Sequence, residues 1–327
     1  MQGFNKTTVV TQFILVGFSS LGELQLLLFV IFLLLNLTIL VANVTIMAVI
    51  HFSWTLHTPM YDFLFILSFS ESCYTFVIIP QLLVHLLLDT KTITFMACAN
   101  QLFFFLAFAW TNCFLIAVMG YDRYVAICHS LRYTLIMNRR LGLGLILSQE
   151  PQVSFLLWWP PTTFVTSLFV APTGLTTISV TWRPNRVNHY FCDMAPVIKL
   201  ACTDTHVKEL ALFSLSIQII MVPFLLILIS YGFTVNTILK IPSAEGKKKA
   251  FATCPSHLTM VFVHYGCASI ISLWPKSKSA SDKDQLVAVT YTVVTPLLSP
   301  LVYSLRNKEV KTALKRVLGM PVSTKMS

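Results

Sequence analysis

From Leu24 to Ile50 the chain carries no charged residue, and Leu, Ile, Val and Phe fill most positions. Such a run makes about 40 Å of helix, more than the roughly 30 Å of hydrocarbon in a bilayer. Six further apolar runs follow: Phe63 to Leu88 with Glu71 inside it, Thr92 to Tyr121, Leu141 to Val170, Leu210 to Leu239, Leu258 to Trp274 and Gln285 to Leu305. None alternates apolar and polar residues over about ten positions, as the strands of a membrane barrel do, so helices are expected. The fourth run is the least regular, because Glu150-Pro151 and Pro160-Pro161 fall inside it. A proline within a helix removes a hydrogen bond and kinks the axis, at a cost of about 3 kcal/mol. The pattern predicts an all-α membrane protein with spans at about 24–50, 60–88, 92–124, 141–170, 206–240, 247–275 and 285–305. A leading segment, 1–23, and a tail, 306–327, flank them.

Composition agrees: of 327 residues, 56% are apolar and only 11% charged, beyond what a soluble core uses. Charge placement then sets a direction. With the leading segment outside, the inner loops and tail hold 14 of the 23 Lys and Arg residues, including Lys247, Lys248, Lys249, Lys308, Lys311, Lys315 and Arg316. Short loops rich in these residues stay cytoplasmic. The net charge of +10 therefore reads as attraction to anionic lipid, and nucleic acid is not an expected partner. No basic region followed by a short apolar stretch marks a cleavable leader in the first 23 residues, so the first span is expected to direct insertion. Asn5 opens a glycosylation sequon in the outer segment, whereas the sequons at Asn36 and Asn43 lie inside the first span.

Eight cysteines divide along the same axis. Cys73, Cys113, Cys128, Cys254 and Cys267 fall in or at the inner edge of spans, while Cys98, Cys192 and Cys202 face the oxidising side. Twenty-five residues of helix separate Cys98 from Arg123, about 37 Å. The third span thus carries a thiol at its outer rim and an adjacent acid and base, Asp122 and Arg123, at its inner one. One disulfide from Cys98 to the long outer loop is expected.

Several stretches together resemble the olfactory (odorant) receptors, within the rhodopsin-like G-protein-coupled receptors: "LHTPMY" at 56–61, "MGYDRYVAIC" at 119–128, "HYFCD" and "LACTDT" in the second outer loop, "SY" at 230–231, "KAFATCPSHL" at 249–258 and "PLLSPLVYSLRN" at 296–307. The resemblance runs from Asn5 to Arg316. It implies a seven-transmembrane helix bundle with a short amphipathic eighth helix, at the plasma membrane, with the N-terminus extracellular and the C-terminus cytoplasmic. It also implies a Cys98–Cys192 disulfide, and it leaves Cys202 without a partner, because Trp182 stands where relatives carry a second loop cysteine.

By the family pattern, Asp122 pairs with Arg123 at rest, and Arg123 turns to a heterotrimeric G protein of the stimulatory, olfactory type when the sixth helix moves outward. Tyr124 completes that motif, and Tyr231 and Tyr303 are the hydroxyls expected to stabilise the active arrangement. Deeper in the bundle the resemblance places Glu71, with Asn43 as its expected hydrogen-bond partner. Asn112 replaces the Glu that relatives carry on the third helix, and Ser299 replaces the Asn before Pro300. The first departure speaks against a sodium-binding role and the second weakens the network to Glu71, so the resting state is expected to be less tightly held than in relatives. Residues 149–184 are the least family-like, and two readings stay open: an altered working receptor, or a copy that folds badly.

The resemblance puts the ligand in the outer half of the bundle. Phe105, Leu106 and Ala109 share a face of the third span and Ile219 lies on the fifth; Ser216, Tyr265, Ser269, Ser272 and Thr292 are the candidate polar contacts. No Asp or Lys on the third or seventh span faces this region, which favours a small, neutral volatile ligand; the resemblance implies cyclic-AMP signalling. A rhodopsin-like receptor for a non-odorant ligand is the rival function. Transporters are disfavoured by the lack of symmetry between the two halves. His189, Cys192 and Asp193 supply too few free ligands for a metal site. No catalytic constellation and no cofactor motif is present, so an enzyme is not expected.

Overall fold

A computed structural model describes residues 12–18, 22, 24–88, 91–137, 186–187, 189–193, 197, 206–273, 288–306 and 308–317. The expected span 141–170, with Glu150 and its prolines, lies outside the described residues, as do Asn5, Trp182 and Cys202.

Long helices dominate. α1 covers Gln25–Phe52, α2 Pro59–Leu87 and α3 Phe95–Cys128. A short turn, α4, covers Tyr133–Ile136; α5 follows at His206–Lys240 and α6 at Ala244–Leu273. A π-helical segment at Thr290–Val294 leads into α7 at Thr295–Arg306, and α8 covers Lys308–Val317. Among the described residues, four helices are long and apolar enough to cross a membrane: α1, α2, α3 and the Ser216–Lys240 part of α5.

Helix α1 shows why these sequences fold as they do. Phe32, Asn36, Ile39, Asn43, Ile46, Val49 and Ile50 are buried, a seam spaced three and four residues apart. Leu26, Leu27, Leu34, Leu37 and Val41 are exposed on the protein surface. A helix apolar on every side is stable where its outward face meets lipid instead of water. The seam sets α1 against α2 and α7; α3 packs on α2 and α5, and α6 packs on α3, α5 and α7. Pro59 opens α2 at a position where its missing N–H costs nothing.

The third span starts later than the expected residue 92. Thr92–Thr94 forms strand β2, which pairs antiparallel with β1, Gln12–Leu15; β1 also pairs parallel with β3, Arg186–Val187. Backbone pairing with the leading segment claims these residues, and Thr94 then caps α3 by accepting a hydrogen bond from the Ala97 N–H. Phe13, Leu15, Ile93, Cys98, Leu102, Val187, Cys192 and Val197 form a second, smaller core beneath the sheet. α8 is amphipathic: Val310 and Ala313 are buried, whereas Lys311, Lys315 and Arg316 are exposed. The Tyr61 hydroxyl at the start of α2 donates to the Glu309 carboxylate at 2.6 Å, fixing α8 to the bundle.

Candidate functional site

At the sheet end of the bundle, the loop of residues 189–193 descends between helices. The Cys98–Cys192 disulfide anchors it to the first turn of α3. Gln101, one turn on, accepts from the Cys192 N–H through its Oε1 and donates to the Val77 carbonyl through its Nε2, both at 3.0 Å. One side chain thereby joins loop, α2 and α3. Phe191 packs on Phe105, ring centres 5.1 Å apart, and Phe105 in turn meets Tyr74 at 5.4 Å. The buried Tyr190 donates its hydroxyl to Thr292 Oγ1 at 2.8 Å, and Thr292 donates to the Ala288 carbonyl at 2.8 Å. Tyr190 lies outside the spans; burial pushes its hydroxyl well above the ordinary tyrosine range, so it remains a donor.

The sequence-derived ligand residues take up different positions. Phe105 and Ala109 are buried on α3, and Leu106 is half-buried between the two cores. Tyr265 on α6 is buried, donates to the Cys113 carbonyl at 2.7 Å and packs on Phe224 at 5.6 Å. Ser216 and Ser269 are half-buried. The side chains of Ile219, Ser272 and Tyr303 lie outside the described residues. Glu71 and Asp122 are the only carboxylates, and no Lys or Arg is found, among the buried described residues.

Midway along the bundle, Asn43, Glu71, Asn112 and Ser299 are all buried. Asn43 does not reach Glu71: its Nδ2 donates to the Ile39 carbonyl one turn back, a contact its own helix already offers. The Ser299 hydroxyl approaches the Glu71 carboxylate, but neither carboxylate oxygen has an aligned hydrogen bond among the described residues.

At the far end of α3, Asp122 is buried and its Oδ1 accepts from the Tyr133 hydroxyl of α4 at 2.7 Å. Arg123 is half-buried and acts on Asp122 through its charge. Burial, and then the adjacent Asp122 carboxylate, hold the Tyr133 hydroxyl well above the ordinary tyrosine range, so it stays protonated and donates. Tyr124 shares a hydrogen bond of 3.2 Å with His129 Nε2. Tyr231 bonds His257 Nδ1 at 2.9 Å, and His257 Nε2 lies 2.8 Å from the Ile116 carbonyl. A carbonyl only accepts, so Nε2 carries the proton and Nδ1 accepts from Tyr231. A side chain at Gly120 would put its Cβ 3.2 Å from the His257 ring; glycine there admits the close approach of α6 to α3.

Gln101, Tyr133, Tyr190 and His257 were not singled out by sequence. Their partners are backbone atoms or side chains on other elements, which no local spacing marks.

Comparison with known proteins agrees with this geometry. The family described as olfactory receptor matches residues 32–320. The chain is 82% identical to human Olfactory receptor 10T2 over 327 residues, covering 100% of both proteins. It is 54% identical to human Olfactory receptor 10R2, over 98% of this chain and 92% of that one. It is 48% identical to mouse Olfactory receptor 10J5, over 98% and 99%. The tethered loop, the helix seams and the Asp122 end stand within the matched segment, and the chain belongs to the olfactory receptor family, as a seven-helix membrane receptor and not an enzyme.

Proposed function

We propose that this receptor binds a small, neutral volatile compound between α3, α5, α6 and α7 at the sheet end. It then activates a stimulatory heterotrimeric G protein at the Asp122 end, raising cyclic AMP. In this reading the sheet end is extracellular, Asn5 carries a glycan, and the receptor works at the plasma membrane.

The arrangement at Asp122 carries the proposal. A buried carboxylate accepts a hydrogen bond from a loop tyrosine while its neighbour Arg123 stands only half-buried. Two alternative partners for one carboxylate make a bistable element, which signalling needs. The absence of buried cations among the described residues supports a neutral ligand, since a charged one would lose its hydration without a counter-charge.

Cells expressing the receptor with an olfactory-type stimulatory G protein, challenged with a panel of neutral volatiles, should raise cyclic AMP. Arg123→Ala at matched surface level should abolish that response. Responses confined to charged amines, or surviving in Arg123→Ala, would overturn the reading.

A further inference from the structure

Helix seven changes register at Thr290–Val294, where the backbone widens into a π segment. Such segments recur at functional sites. Two features hold this one. Thr292 Oγ1 donates to the Ala288 carbonyl at 2.8 Å and approaches the Val289 carbonyl at 3.5 Å, closing the side chain onto the turn before the wide segment. Because that hydroxyl proton is committed, Thr292 accepts from Tyr190, whose ring comes from the disulfide-tethered loop. Tyr291, the preceding residue, meets Tyr74 at 5.9 Å and His264 at 5.5 Å.

We propose that Tyr190 is a latch: through Thr292 it holds the wide turn of helix seven in its resting register, and displacement of the loop by a ligand releases that turn. The route is short. Phe191, next in the chain, packs on Phe105, and its ring lies 5.0 Å from that of Tyr190. A molecule that parts Phe191 from Phe105 therefore moves Tyr190 away from Thr292. Beyond the wide turn, α7 leads to the buried Ser299 and Pro300, so a change of register there reaches the polar centre at Glu71. Tyr190 is a positioning residue in this scheme, and its signalling consequence rests on the G-protein reading above.

Hydrogen–deuterium exchange of the purified receptor, read on the peptide spanning 288–300, tests the latch without requiring a ligand or a G protein. Tyr190→Phe keeps the ring and removes the donor; Thr292→Val removes the acceptor at constant volume; Thr292→Ser keeps the hydroxyl. Both deletions should speed exchange about two- to tenfold, the effect of losing one neutral hydrogen bond. The double variant should be no faster than the faster single one, and Thr292→Ser should match the parent. Unchanged exchange in Tyr190→Phe, or fully additive effects, would overturn the latch, and Tyr190→Phe compared with Thr292→Ser decides the matter if Thr292→Val does not fold. Basal cyclic AMP at matched surface level should also rise in Tyr190→Phe. Faster exchange without that rise, while Asp122→Asn does signal, would overturn the link to activation. Silence of Asp122→Asn as well would instead sink the coupling reading and leave the latch to be judged by exchange alone.

Discussion

Asp122 has two claims upon it, and they can be separated. Tyr133→Phe deletes the 2.7 Å hydrogen bond and leaves the attraction of Arg123 intact. Asp122→Asn does the reverse, since a carboxamide oxygen still accepts from Tyr133 but carries no charge for Arg123. A hydrogen bond to a charged group contributes about 1.5–3 kcal/mol. Tyr133 is only half-buried, so water recovers part of this and the lower end, about 1.5 kcal/mol, applies. Every 1.4 kcal/mol is about tenfold in an equilibrium. If the bond belongs only to the resting state, Tyr133→Phe should raise basal signalling roughly tenfold, until the response saturates. The assay is basal cyclic AMP at matched surface density for the parent, both single variants and the double. A double variant well above either single would show two independent restraints. Parent-level output from Tyr133→Phe beside a raised Asp122→Asn would refute a part for Tyr133 in holding the resting state.

Three further outcomes are expected. Non-reducing peptide mapping should recover Cys98 and Cys192 in one linked fragment, and Cys98→Ser should lower stability by about 2–5 kcal/mol, seen as loss of surface staining. Gly17→Ala should lower the thermal midpoint more than Gly22→Ala: both positions have positive φ, but a Cβ at 17 meets the Tyr190 backbone at 3.1 Å whereas none at 22 meets anything within 4 Å. Equal shifts would show that the leading segment does not press on the latch. Asn5→Gln should remove the glycosidase-sensitive mobility shift of the expressed protein, and a persisting shift would refute the assigned orientation or the number of spans.

Hydrophobic runs make the membrane class and the long helices α1, α2, α3 and α5 legible, because lipid demands hydrogen-bonded helix and tolerates apolar side chains all round. Span ends were less legible. Thr92–Thr94 is as uncharged as the helix after it, and only a partner strand some eighty residues earlier, which no local period records, makes it a strand. Cys98 and Cys192 could be paired in advance because the family motifs fix their places. Asn43 and Glu71 could not, because an asparagine in a helix can always satisfy itself on the carbonyl one turn back. Tyr133 is hidden for a related reason: Arg123 adjoins its partner Asp122 in the chain, and sequence adjacency hides a competitor arriving from the next loop.

The three-stranded sheet has a consequence in time. β1 is its central strand, and Ile14 pairs with Arg186. A ribosome adding about 5–20 residues per second exposes the first of these roughly ten to thirty seconds before the second exists. Throughout that interval β1 has both edges open, unless β2 closes one. The sheet is therefore completed only after α1, α2 and α3 have been made, and before α5, α6 and α7 exist. A defect in the chain between β1 and β3 leaves an edge of β1 unpaired, and an exposed strand edge is a ready template for pairing with another chain. The sheet thus reports on the chain before it: a receptor whose first half has not assembled displays the fact at its beginning.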